Sequence, residues 1–383
     1  MSKTGRKIKI LFAINCMNIG GAPSVVFHQM KLLDKERFEP HLLTLYPSKP
    51  ANFLAEMSFV PEAYQHHFRL KKRSIFDFRT LYAIYRMLKR ERFDVVYTHL
   101  FLANFLVRAM AIVARVPHMV AFEHSTYFNK SSWQIAMDRL LARFTDKIIV
   151  STNEVREFTA LQEGLPQERF AVIRNPVVVP DRADVDLAAL WKEMGVDGRS
   201  RITFVTVGRF SEEKGQLILL EAVTRVVAKY PEAFFVLVGH GPLEQAMRAY
   251  VLEHDLEQNV RIVHAPNRAK EYLYLADWFV LPSTREGQAI VVEEALTAGV
   301  PVIAARLTGM GEVIQDGKNG FLFESGNVDA LAVCIGRAIE ENPGRSGMSF
   351  EARNTAEKLF SSEKRIEELE SLFFGIMNKF NNL

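Results

Sequence analysis

Glu286 opens the stretch EGQAIVVEEALTAGVP, residues 286–301, and Glu294 follows it eight residues later. The first carboxylate falls on a glycine-containing loop and the second inside the helix that the apolar run predicts. Gly299 and Pro301 close that helix before a further buried strand. Backbone N–H groups at a helix start attract phosphate, while flanking carboxylates suit neutral hydroxyls. The local chemistry is that of a phosphorylated sugar site. A loop, a helix and a Gly-Pro stop also describe an ordinary structural corner.

Two cations stand where they could meet one anion. In GRFSEEKG, residues 208–215, Arg209 and Lys214 lie five residues apart on one predicted loop. Arg offers a planar fork and Lys a compact charge, a pair suited to a diphosphate leaving group; a solvated basic pair is the plainer alternative. Gly208 and Gly215 are compatible with a tight, phosphate-facing loop. Another glycine-rich exit, GHGP, begins at Gly239. In NIGGAPSVVF, Gly20 and Gly21 either admit a ligand close to the backbone or simply make a tight turn. His124, in EHS at 123–125, could hydrogen-bond a hydroxyl or a phosphate oxygen, although a lone histidine is as readily structural.

Such residues work only if strand ends gather them. Short β-rich runs at 8–14, 41–46, 95–98, 119–122, 148–150 and 171–173 alternate with helical patterns, which predicts parallel βαβ units. After Asn175-Pro176 the rhythm lapses into VVVPDRADVDL, read as a linker, and restarts with runs at 203–207, 234–238, 260–263, 279–281 and 302–304. The fold class is therefore α/β, with two Rossmann-like domains facing across a cleft: 1–178, 179–361, and a last helix over 362–383 returning toward the first domain. Ligands in such sheets bind at the carboxyl ends of the strands.

Bulk properties agree. At 383 residues the chain suits two domains, and 48% hydrophobic with 24% charged residues is the composition of a globular soluble protein. A net charge of only +3 carries no nucleic-acid signature. Cys16 and Cys334 form no metal or redox motif and suit a reducing compartment. The apolar stretch 100–116 is interrupted by Asn104, Arg108 and Arg115, and the start of the chain reads as a first strand rather than a secretion signal. The expectation is a cytoplasmic protein, at most peripheral at the inner face of the cell membrane.

Taken in order, GGAPSV (20–25), AFEHS (121–125), VIRNPV (172–177), VGRFSEEKG (207–215), VGHGP (238–242), ADWFVLPS (276–283), the 286–303 stretch and GEVIQDGKNGFLF (311–323) resemble a GT-B glycosyltransferase of the large retaining group called family 4, or glycosyl transferases group 1. The likeness covers essentially the whole chain. It implies a nucleotide-diphosphate sugar as donor substrate, a UDP-sugar for preference, bound mainly by the second domain, with neither cofactor nor metal. It also implies a glycan or lipid-linked acceptor on the first domain. By the same resemblance Arg209 and Lys214 hold the diphosphate, Gly239 belongs to the donor site, and Glu294 binds the ribose hydroxyls. Glu286 with Gly287, Gln288, Ala289 and Ile290 surrounds the donor sugar and phosphates. Gly20 and Gly21 close on the diphosphate, and His124 lies near the reacting sugar.

Some positions depart from the family pattern. His264 stands where a glycine is common beside the nucleobase, Gln288-Ala289 replace commoner choices, and VIRNPV lacks the usual Gly-Val-Asp. The triplet Asp184-Val185-Asp186 resembles a metal-binding DxD but falls in the linker, where solvated carboxylates are expected. On the acceptor side, Arg69, Lys71, Lys72 and Arg73 form a cluster able to meet an anionic membrane. In the helix beyond, Phe78, Leu81, Tyr82, Tyr85 and Leu88 are expected to pack on the sheet. A sugar-nucleotide epimerase and a catalytically silent nucleotide-sugar-binding protein are the alternatives, the second disfavoured because Arg209, Lys214, Glu286 and Glu294 are all present.

Overall fold

The structure, a computed structural model, describes residues 6–18, 20–48, 53–69, 77–124, 127, 130–196, 201–265, 268–307, 309–342 and 345–380. The chain divides into two compact units, Met1–Pro176 with Ser362–Leu383, and Val177–Ser361.

The first unit holds β1 (Ile8–Ile14), β2 (Phe38–Thr44), β3 (Gln65–His67), β4 (Val95–His99), β5 (His118–Glu123), β6 (Lys147–Val150) and β7 (Phe170–Val172). They form one parallel sheet ordered β3-β2-β1-β4-β5-β6-β7. The second holds β8 (Ile202–Val207), β9 (Ala233–Val238), β10 (Val260–Val263), β11 (Trp278–Leu281), β12 (Val302–Ala305) and β13 (Gly320–Phe323), also parallel, ordered β10-β9-β8-β11-β12-β13. Strand order reverses between β1 and β4 and again between β8 and β11. At such a switch point the crossover helices leave to opposite faces and a crevice opens beyond the strand ends.

The strands are near-continuous apolar runs because both faces are covered. In β1, Ile8, Ile10, Phe12 and Ile14 enter one core while Leu11 and Ala13 enter the other, as the two-residue period of a strand requires. The helix Ser362–Phe380 closes the first of these cores: Leu369 and Phe373 are fully buried there, and Phe373 meets Tyr97 edge-on with ring centroids 5.5 Å apart. Glu370 accepts from Asp34 N at 2.8 Å, so the end of the chain is tied to the first unit by polar contacts as well.

Several expectations need correction. The edge strands β3 and β13 were not anticipated, since QHH has no apolar residue and GFLF is short and starts with glycine. The stretch taken as a linker is packed: Val177 and Val185 enter the core of the second unit, and Val179 and Leu187 pack against it. Asp186 is not merely solvated, because its carboxylate caps the helix Leu187–Glu193, accepting from Ala189 N at 3.0 Å. The helix Phe78–Glu91 buries Ile84, Met87 and Leu88 but leaves Phe78 and Tyr82 76% and 62% exposed, so the aromatic stripe packs only in part. Lys71, Lys72 and Arg73 lie outside the described residues, and Arg69 is exposed. Among the described residues no helix is long and apolar enough to cross a membrane.

Candidate active site

In the second unit the exits of β8 and β11 meet. Gly215 has φ +67°, and a Cβ there would stand 2.1 Å from the carbonyl oxygen of Pro282, so only glycine allows the two loops to touch. Thr284 N donates to Glu213 O at 2.9 Å and locks the contact. The β8 and β9 exits are joined in the same way: a Cβ at Gly239 would meet Gly208 O at 1.9 Å, and Phe210 N donates to His240 O at 2.9 Å.

This framework brings together two of the predicted residues. Lys214 Nζ donates to both oxygens of Glu286, at 2.7 and 2.9 Å, and Ser283 Oγ donates to Glu286 Oε1 at 2.7 Å. Lys214 keeps 27% of its side chain exposed, whereas Glu286 keeps 8%. The pair therefore sits at the switch point of the sheet with the ammonium reaching toward solvent. Arg209 is exposed on the same loop, its carbonyl held by Gln216 Nε2 at 2.9 Å and its charge acting on the nearby Glu213 carboxylate.

Glu294, on the helix Ile290–Thr297, is buried, and burial pushes its carboxyl above the ordinary value against the pull of Lys270, whose Nζ lies 2.7 Å from Oε1. Lys270 also donates to Val178 O, which fixes the carboxylate to the start of the unit. Gln288 donates to Glu293, the neighbouring buried carboxylate, at 2.9 Å, and Ala289 is a buried cap residue, so the two departures from the family pattern shape the loop's inner side. His240 and His264 face each other across the exits of β9 and β10 with ring centroids 5.2 Å apart. A cavity of about 510 Å³ opens beside His264, lined also by Arg261, Arg268 and Tyr272.

In the first unit His124 leaves the end of β5. Its Nε2 lies 3.1 Å from Nδ1 of His99, at the end of β4, so one imidazole donates and the other accepts. Phe122 packs on its ring at 4.2 Å, and burial pushes His124 down to about 3 and His99 well below the usual histidine range. Both are therefore neutral near pH 7. Gly20 and Gly21 start the helix Gly21–Leu32. Neither has a φ that demands glycine, and an added Cβ at Gly20 would meet nothing closer than 4.0 Å. A side chain at either position would thus enter open space at a helix start.

Sequence reading missed His99, Ser283, Lys270 and Lys130. His99 ends a strand one residue after the predicted limit, Ser283 gains its meaning from Glu286 three residues on, and Lys270 and Lys130 gain theirs only through partners that the fold brings to them.

Two parallel-sheet α/β units fit the GT-B fold. The sequence profile of Glycosyltransferase Family 4 matches residues 19–179, and that of Glycosyl transferases group 1 matches residues 195–355. The chain belongs to this family of glycosyltransferases, the two matches together spanning most of its length. It is 26% identical to UDP-Gal:alpha-D-GlcNAc-diphosphoundecaprenol alpha-1,3-galactosyltransferase of Escherichia coli, covering 99% of this chain and 100% of that one. It is 22% identical to N-acetyl-alpha-D-glucosaminyl L-malate synthase of Bacillus anthracis, over 98% and 99% of the two chains. Among solved structures, Anabaena HepE in complex with UDP superposes with a TM-score of 0.78 at 19% identity, covering 96% of this chain and 100% of that one.

Proposed function

We propose that this glycosyltransferase takes a sugar from a UDP-sugar and transfers it, with retention of anomeric configuration and without a metal, to a glycan or lipid-linked acceptor in cell-surface polysaccharide assembly. The Lys214–Glu286 pair at the β8–β11 switch point carries the reading, because a donor diphosphate needs fixed positive charge at a strand-end crevice. Breaking the glycosyl–phosphate bond develops negative charge on the leaving oxygen and positive character on the sugar. Arg209 and Lys214 meet the first, Glu286 and the backbone of Gly287–Ile290 the sugar and its phosphates, and Glu294 the ribose hydroxyls. Preorganised donors of this kind supply most of the rate in such chemistry. Their charge takes the place a divalent cation occupies in other transferases. His124, held neutral, offers a hydrogen bond to a sugar hydroxyl from the first unit, and the open start at Gly20-Gly21 admits phosphate.

The test is a transfer assay with UDP-sugars and lipid-linked acceptors in the presence of a chelator, with the product's anomeric configuration read by NMR. Inversion, or activity that needs added metal, would overturn the corresponding part.

We place the acceptor side against an anionic membrane on the cytoplasmic face. The contact expected of the Arg69–Arg73 cluster extends in this reading to the helix that follows it in the chain, where exposed Phe78, Tyr82, Arg86, Lys89 and Arg90 set aromatic rings beside cations, a pattern suited to acidic headgroups. Co-sedimentation with phosphatidylglycerol vesicles tests it; binding that survives Phe78→Ser with Tyr82→Ser and Arg86→Gln removes this surface from the contact.

A further inference from the structure

Directly behind His124 the first unit buries five charged side chains. Lys130 Nζ lies 2.7 Å from Glu163, 2.9 Å from Asp138 and 3.6 Å from Glu123, with all four side chains at most 6% exposed. Arg108 approaches Asp138 at 3.3 Å and donates to Asn104 O and Thr145 Oγ1, while Asn104 Nδ2 reaches Glu123 Oε1 at 3.4 Å. The oxygens of Glu123, Asp138 and Glu163 are close enough together to hold a cation, and the Lys130 ammonium is the positive charge they share.

Burying a flexible lysine among acids is costly in desolvation, so the arrangement calls for a reason beyond stability. Glu123 and Lys130 supply one. Glu123 immediately precedes His124, and Lys130 ends the connection from β5 to the helix Ser132–Ala142. Each described residue of that connection is tethered. His124 meets His99, the Tyr127 carbonyl accepts from Gln162 Nε2 at 2.9 Å, and Lys130 enters the cage.

We propose that Lys130 is a positioning residue for His124: its ammonium, bound by Glu123 at the end of β5 and by carboxylates of the helices Ser132–Ala142 and Asn153–Glu163, fixes the strand end from which the histidine leaves. The inference rests on the proposed role of His124. The cage ties the end of β5 to two helices at once, so the imidazole that follows Glu123 meets the reacting sugar at a set position without reorganising. With five groups the cage carries one net negative charge when all are ionised. Removing the lysine alone doubles that charge, while removing Lys130 and neutralising Glu163 together leaves it unchanged.

The test compares Lys130→Met, the double variant Lys130→Met with Glu163→Gln, and His124→Ala. The expected result is that the double variant folds, keeps the wild-type thermal shift with UDP, and loses transfer by a factor close to that of His124→Ala. NMR titration of His124 in the double variant should move up toward the ordinary histidine range as the ring gains solvent. A double variant with wild-type kcat and an unmoved His124 titration overturns the inference, provided His124→Ala is impaired. Loss of the UDP shift together with transfer overturns it too, since the cage would then act on the whole molecule. If His124→Ala transfers sugar normally, the reading of His124 falls first, and the positioning role falls with it.

Discussion

The two units each set a lysine against carboxylates, and the contrast between them separates a site from a scaffold. Lys214 meets Glu286 with over a quarter of its side chain in solvent and one carboxylate to serve. Lys130 is 4% exposed and serves three. An ammonium near water can exchange one anion for another at little cost, because solvent compensates what the pair loses. One sealed among acids cannot, because removing it leaves uncompensated buried charge. The first arrangement suits a ligand that arrives and departs; the second suits geometry that must not change.

The largest expected effect therefore falls on the buried pair and on stability. Lys130→Met should destabilise the first unit by about 3–5 kcal/mol, the usual consequence of stripping one partner from a buried ion pair. Denaturant unfolding followed unit by unit reads this directly, and a loss under about 1 kcal/mol would show that the cage is solvated like a surface pair. At the exposed pair the loss should instead be kinetic. Lys214→Ala should keep the fold and lower transfer by roughly 10²–10³, the range for removing one preorganised donor from a developing negative charge. Near wild-type turnover would make Lys214–Glu286 an ordinary surface contact.

Titration sharpens the same contrast. In the first unit burial, only partly offset by Lys130, pushes Glu123 up from 4.5 to about 7, so the native state holds a proton the unfolded chain releases. That contribution is complete below pH 4.5 and lost as pH rises through 7. His124, lowered by burial from 6.5 to about 3, acts the other way: its contribution is present above pH 6.5 and lost as pH falls toward 3. Between 4.5 and 6.5 the two oppose each other. Glu123→Gln should thus steepen the rise of the first unit's melting temperature between pH 4.5 and 6.5 and flatten its decline through pH 7, leaving the dependence below 4.5 unchanged. An unaltered decline would remove Glu123 as its source.

The comparison also explains what was legible in the sequence. Glu286, Lys214 and Gly215 lie at strand exits, and exits are found wherever an apolar run stops, so the second site could be read along the chain. Both sheets were legible for the same reason, except at β3 and β13, whose edge positions need no continuous apolar run. The cage was not legible. Glu123, Lys130, Asp138 and Glu163 belong to a strand, a connection and two helices, and each alone is an unremarkable charge in its own segment. Only the crossing of the helices Ser132–Ala142 and Asn153–Glu163 beside β5 makes them neighbours.

Asp186 tests the weakest member of the series, a lone exposed carboxylate. Its sequence context, Asp-Val-Asp, invites a metal, yet its oxygen is already given to Ala189 N at the start of a seven-residue helix, and Val185 between the two acids is buried in the core. Turning Asp186 toward a shared cation with Asp184 would strip the cap from that helix and pull Val185 out of its packing. Asp186→Ala should consequently cost only about 1 kcal/mol, the typical loss of an N-cap, and leave transfer at the wild-type rate. Asp186→Asn, which keeps a capping oxygen but loses the charge, should recover most of that stability. If both variants instead abolished transfer and added divalent cation restored it, the exposed triplet would be the chemical centre, and the distinction drawn between Lys214 and Lys130 would no longer describe where this enzyme keeps its working charge.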